Sequence, residues 1–95
     1  MRTIEYANAF KRDFRRTKAV PRYANTLDEL LMAVLDRLVK DLPLPEANRD
    51  HGLVGNWAGF RECHLKPNLL LVYQKPNDVT LRLVRMGTHS ELPPQ

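Results

Sequence analysis

Leu27, Leu30, Leu31, Val34, Leu35 and Leu38 recur at intervals of three and four residues, which places them along one stripe of an α-helix. This is the clearest periodicity in the chain. A helix so marked must bury its stripe, so the rest of the sequence has to supply a second layer. Thr26-Leu27-Asp28-Glu29 opens the helix as a capping box, Thr26 bonding the Glu29 amide while Glu29 reaches back. Leu42-Pro43-Leu44-Pro45 stops it.

An earlier helix precedes this one. Asn8 suits its N-cap, and Phe10 and Phe14 lie four apart on one face. The remainder is Lys11, Arg12, Arg15, Arg16 and Lys18, opposed only by Asp13; this is either a phosphate-facing surface or a solvated helix face. Val20-Pro21 ends the segment, because the residue before proline is pushed out of the α region. Ahead of it, Thr3, Ile4 and Tyr6 suit a short strand.

Beyond Pro45 the pattern turns to β. In Phe60 to Leu65, alternation puts Phe60, Glu62 and His64 on one face and Arg61, Cys63 and Leu65 on the other. Asn68 to Lys75 is a near-continuous apolar run, typical of a central strand. Pro76-Asn77-Asp78 reads as a turn, after which Val79, Leu81 and Leu83 alternate with Thr80, Arg82 and Val84. Short spacings make these strands antiparallel neighbours. The expected fold is α+β, in the order β-α-α-β-β-β: a two-layer sandwich with a helical hairpin packed on an antiparallel sheet.

A chain of 95 residues with 43% hydrophobic content supports one core, so residues 1–95 form a single domain. One cysteine, Cys63, excludes an internal disulfide framework and suits a reducing compartment; it is either a nucleophile or a packed side chain. The net charge of +4 favours an anionic partner such as nucleic acid, an acidic protein or a membrane surface. The N-terminus has no apolar run of the signal-peptide kind, and no segment approaches the roughly 20 apolar residues that span a bilayer. A soluble cytoplasmic protein is expected.

Chemistry concentrates between Asp50 and His64, which hold two of the three histidines, the only tryptophan and three of the four glycines. His64 falls near the end of the first hairpin strand and His89 just past the last strand. In an antiparallel meander these two ends share an edge, and the loop carrying His51 can fold over it. Three histidines can hold zinc, but short spacings such as His-Glu-x-x-His are absent. Metal-free phosphodiester cleavage fits better. Cutting RNA at a 2′-hydroxyl needs a base, an acid for the leaving 5′-oxygen and positive charge on the phosphate. Histidine serves as base and as acid, each transfer contributing about 10²- to 10⁴-fold. Arg49, Arg61, Lys66 and Arg85 are available to the phosphate. Each histidine also has a structural reading: His51 closing a loop beside Asp50, His64 satisfied in a core, His89 capping the final turn.

The combination Asp50-His51-x-Leu53-x-Gly55-x-Trp57-x-Gly59-Phe60-Arg61-x-x-His64-x-x-Pro67-Asn68, then Leu71-Val72-Tyr73, then Arg85-x-Gly87-Thr88-His89, resembles the YafQ branch of the RelE/ParE toxin superfamily. The resemblance covers nearly the whole chain. It implies the toxin of a type II toxin–antitoxin module with a RelE-like fold: an mRNA interferase, an endoribonuclease that enters the ribosomal A site and cuts the codon there without a cofactor. It further implies His51 as general base, His89 as general acid and His64 as a histidine that orients or neutralises the scissile phosphate. The implied partners are the ribosome and mRNA, and a dimeric DNA-binding antitoxin whose flexible tail wraps the toxin. Operator DNA would be met only through that complex.

Three positions depart from the pattern. Asn68 stands where the family usually has an aspartate; it can hydrogen-bond to substrate or histidine but carries no charge. Leu69 and Pro93 stand where aromatic residues are usual, so base-stacking surfaces and codon preference do not carry over. Two rival readings keep the fold: a ParE-like gyrase-binding toxin without catalysis, and a degenerate toxin that serves only as antitoxin partner and co-repressor.

Overall fold

A computed structural model of the chain describes residues 1–92. The departure at Pro93 therefore lies outside the described residues. The sheet has five strands in the order β1-β5-β4-β3-β2. They are β1 (Thr3–Tyr6), β2 (His51–Gly52), β3 (Arg61–Lys66), β4 (Leu69–Asn77) and β5 (Thr80–Gly87). Helices α1 (Asn8–Lys18), α2 (Pro21–Ala24) and α3 (Leu27–Val39) fall between β1 and β2.

The α3 stripe does what its spacing requires. Leu27, Leu31, Val34, Leu35 and Leu38 are buried in one core with Phe10 of α1 and Leu81, Leu83 and Met86 of β5. Full burial of each such side chain contributes about 1.5–3 kcal/mol. The apolar run of β4 is explained by cover on both sides. Leu69, Leu71 and Tyr73 enter this helical core, whereas Leu70 and Val72 join a second cluster with Leu53 and Leu92. Trp57 and Phe60 pack against that second cluster. The histidine-bearing loop and the C-terminal turn thus roof the sheet face away from the helices. Among the described residues no helix is long and apolar enough to cross a membrane.

Several local expectations need correction. The sheet is mixed: β2 to β5 are antiparallel, but β1 pairs parallel with β5, Ile4 opposite Leu81. No tight turn joins β1 to its neighbour, so nothing local fixes its direction. Helix α2 and strand β2 are additional elements. Ala7, extended at φ −66° and ψ 150°, holds the cap position of α1, and Asn8 is the first helical residue. The capping box does not form. Thr26 donates its backbone amide to the Tyr23 carbonyl (3.2 Å), which draws it into the αR region, whereas side-chain capping favours an extended residue. The Thr26 hydroxyl is left buried without a partner. Strand β4 runs on through Pro76 and Asn77, and Val79 is exposed in the turn, its amide donated to the Asn77 side chain at 3.0 Å.

Candidate active site

The strand β2 is only two residues long, yet it sets the site. His51 pairs across the ladder with Glu62, and Gly52 with Arg61. The next residue on the Glu62 face of β3 is His64, which stands opposite Leu70 of β4, itself opposite Gly87 of β5. His89 follows β5 by two residues. Its ring centroid is 5.6 Å from that of His64, with the rings inclined at 59°.

Each histidine is held in the same way. The Nδ1 of His51 lies 2.7 Å from the Arg49 carbonyl oxygen, that of His64 3.3 Å from the Pro67 carbonyl oxygen, and that of His89 3.3 Å from Asn68 Oδ1. An amide oxygen only accepts, so Nδ1 carries the proton in each ring and the lone pair of the neutral form sits on Nε2. Arg49 achieves this through a left-handed backbone at φ 47° that closes the 3-10 turn Glu46–Asn48. The Asn48 side chain donates to the backbone oxygen of His64 at 2.7 Å, fixing the strand beneath that ring. His64 is buried; His51 and His89 are exposed.

Glu62 is the residue that sequence reasoning missed. Its side chain is 1% exposed, and one carboxylate oxygen lies 3.4 Å from His51 Nε2. Alternation had already put it on the His64 face. The signal that would have found it is the pairing of His51 with β3, which two residues of strand do not announce.

The cations divide. Arg61 lies on the helical side of the sheet, its Nε 3.3 Å from Asp50 Oδ1 and 3.3 Å from the Tyr73 hydroxyl. Tyr73 in turn donates to Asp50 at 2.5 Å. This network anchors the residue just before His51. Burial, followed by the bond to Asp50, pushes the Tyr73 phenol upward, so it remains a donor. Arg85 donates to Asp13 at 2.6 Å, and the Met86 amide donates to the same carboxylate at 3.0 Å. Burial opposes ionisation of Asp13, but the bonds from Arg85 and Met86 outweigh it and hold the carboxyl below its usual range. Lys66 lines a cavity against α3 with Leu30, Arg37 and Asn48, and Arg49 is exposed. Of the five predicted substrate contacts, only Asn68 bonds a histidine side chain; Arg49 meets His51 through its backbone. Cys63 is fully buried, and burial, reinforced by the Asp50 charge, raises its thiol far above the usual range, which removes it as a nucleophile.

Residues 2–94 match the family described as bacterial toxin of type II toxin–antitoxin system, YafQ. The chain belongs to the YafQ family. It is 35% identical over 91 residues to the mRNA interferase toxin YafQ of Escherichia coli K12, covering 96% of this chain and 95% of that protein. Among solved structures, a metal-bound toxin from Helicobacter pylori is 45% identical, with a TM-score of 0.81 over 98% of this chain and 100% of that one. The YafQ of the E. coli DinJ-YafQ complex is 32% identical, with a TM-score of 0.80 over 97% and 98%. These likenesses cover helices, sheet and histidine loop together, so the α+β architecture is that of YafQ toxins.

The Helicobacter toxin carries metal. In this YafQ-family chain, no three His, Cys, Asp or Glu side chains among the described residues converge into a metal-holding set.

Proposed function

We propose that this chain is the endoribonuclease of a type II toxin–antitoxin module, cutting mRNA in the ribosomal A site by 2′-hydroxyl attack. The observation that carries the reading is the grouping of the three histidines at one edge of the sheet, each Nδ1 held by an oxygen acceptor, with the Glu62 carboxylate beside the Nε2 of His51. His51 is the base. Its Nε2 accepts the 2′-hydroxyl proton, and the resulting imidazolium meets the Glu62 carboxylate already 3.4 Å away. His89 in its protonated form gives the Nε2 proton to the departing 5′-oxygen, with Asn68 Oδ1 fixing the ring. His64, packed beside His89, orients the scissile phosphate and, when protonated, neutralises it. Arg49, Arg61, Lys66 and Arg85 were the cations first assigned to phosphate. With Arg61 and Arg85 committed to carboxylates, exposed Arg49 is the best placed of them, and Arg61 acts by anchoring Asp50.

The partner is a dimeric DNA-binding antitoxin, as in the DinJ-YafQ complex, and operator DNA is reached only through it. Supporting this is a groove of about 790 Å³ between α1 and α3. Its floor includes Phe10, Phe14, Leu31 and Met32, and Lys11 and Arg15 stand on its rim. Complementary charge speeds encounter with an acidic tail. Purified protein incubated with mRNA, with and without programmed ribosomes, tests the reading. Cleavage only on ribosomes is expected; mRNA left intact in both mixtures would overturn the reading and indicate a bound target such as gyrase.

A further inference from the structure

Next to the histidines, a small cavity of about 260 Å³ is walled by Arg16, Arg22, Asn68, Thr88 and Glu91, among others. Within it the Glu91 carboxylate is held like a bound anion. One oxygen accepts the Thr88 backbone amide at 2.8 Å, and the other lies 3.5 Å from Arg16 Nε. The seat exists because residue 87 has no side chain. A Cβ there would stand 2.9 Å from the Glu91 carboxylate oxygen and 3.5 Å from an Arg16 nitrogen. Arg16 also meets Asp13 at 3.1 Å, but that carboxylate is already engaged by Arg85 and the Met86 amide. The Arg16 and Glu91 side chains are 48% and 42% exposed, so solvent and ligands reach the pair.

We propose that this seat is a subsite for an RNA phosphate neighbouring the scissile one, and that Glu91 occupies it in the free protein until the strand displaces it. The proposal rests on the mRNA-cleavage reading. A backbone amide beside a guanidinium is a common phosphate-binding pair. Position selects RNA over an acidic peptide: Thr88 adjoins His89 in the chain, and Asn68 both walls the cavity and holds the His89 ring. A strand whose cut phosphate lies at His89 therefore passes this seat. Arg22, its guanidinium 5.6 Å over the Tyr23 ring, adds a second cation at the wall.

Titration of isotope-labelled protein with adenosine 3′,5′-bisphosphate, followed at the Thr88 amide resonance, tests this directly. Wild type should show a saturable shift. Glu91→Gln removes the competing charge and should tighten binding about two- to fivefold, the range of an exposed ion pair. Arg16→Gln should weaken it and lower the salt slope for single-stranded RNA by about 0.7, one phosphate contact. Both substitutions are at exposed positions, and the same spectra report whether the fold is intact. A Thr88 amide that does not move, binding indifferent to both substitutions, or a shift produced by polyglutamate and not by the bisphosphate would overturn the subsite. Ribosomal cleavage is scored separately. Normal cleavage with no bisphosphate binding rejects only the subsite, and binding without any cleavage rejects only the nuclease.

Discussion

The Nε2 atom of His51 lies 3.4 Å from the carboxylate of Glu62, a residue only 1% exposed. The contact follows from the β2–β3 register, which sets the two residues opposite one another. In the proposed mechanism it gives the His51 imidazolium a partner that is already in place and needs no reorganisation.

Glu62→Gln keeps the volume and removes the charge. Its turnover in ribosomal cleavage should fall about 10²-fold, the lower end of what one positioned proton transfer contributes. Because Glu62 acts through His51, the double variant Glu62→Gln with His51→Ala should be no slower than His51→Ala alone. Single-turnover rates for the set decide this, and multiplicative losses would separate the two residues.

Asp13 is expected to stabilise the fold. Asp13→Asn leaves Arg85 short of its counter-charge and should cost about 2–4 kcal/mol in urea denaturation, less than for a fully buried pair because Arg85 is partly exposed. The sign with pH follows from the lowered folded-state value. Its contribution is complete above the unfolded carboxyl value of about 3.9 and is lost as pH falls through the folded value. Wild type should therefore lose stability more steeply than Asp13→Asn below about pH 4. Parallel acid limbs would refute the assignment.

Tyr73→Phe deletes the hydroxyl that donates to Asp50 and receives Arg61. A stability loss of about 1–3 kcal/mol is expected from the orphaned partners. Cleavage should fall as well, since the network anchors the residue before His51. Full activity at reduced stability would show that the loop is fixed elsewhere.

Reversing Lys11 and Arg15 to glutamate should slow antitoxin association about tenfold at low salt and flatten its salt dependence. The histidine site is unaltered by these changes. Stopped-flow association across ionic strengths measures the effect; an unchanged rate would make this rim an ordinary solvated helix face.

How far the sequence spoke depended on whether a residue's partner was local. The α3 stripe and the β4 run were readable because period and burial coincide; the alternation of β3 separated Cys63 and Leu65 from Glu62 and His64, but only the packed structure shows that Cys63 and Leu65 meet the helices. The edge shared by His64 and His89 followed from the meander. Arg61 and Arg85 looked equally available to phosphate, because a cation reads the same whether or not an acid neutralises it. Their acids lie 11 and 72 residues away. Glu62 was hidden for a related reason: a one-residue slip in a two-residue strand would have turned it from His51. The failed capping box at Thr26 shows a local motif overridden by a preceding helical turn.

Primer extension on a reporter mRNA, after induction without antitoxin, tests the central claim most directly when run beside His89→Ala. The substituted side chain is exposed and meets Asn68 and His64, so the fold and antitoxin affinity should survive. The account predicts cuts in register with the reading frame for wild type and none for the variant. Equal cutting by both, or loss of antitoxin binding with loss of cutting, would contradict it.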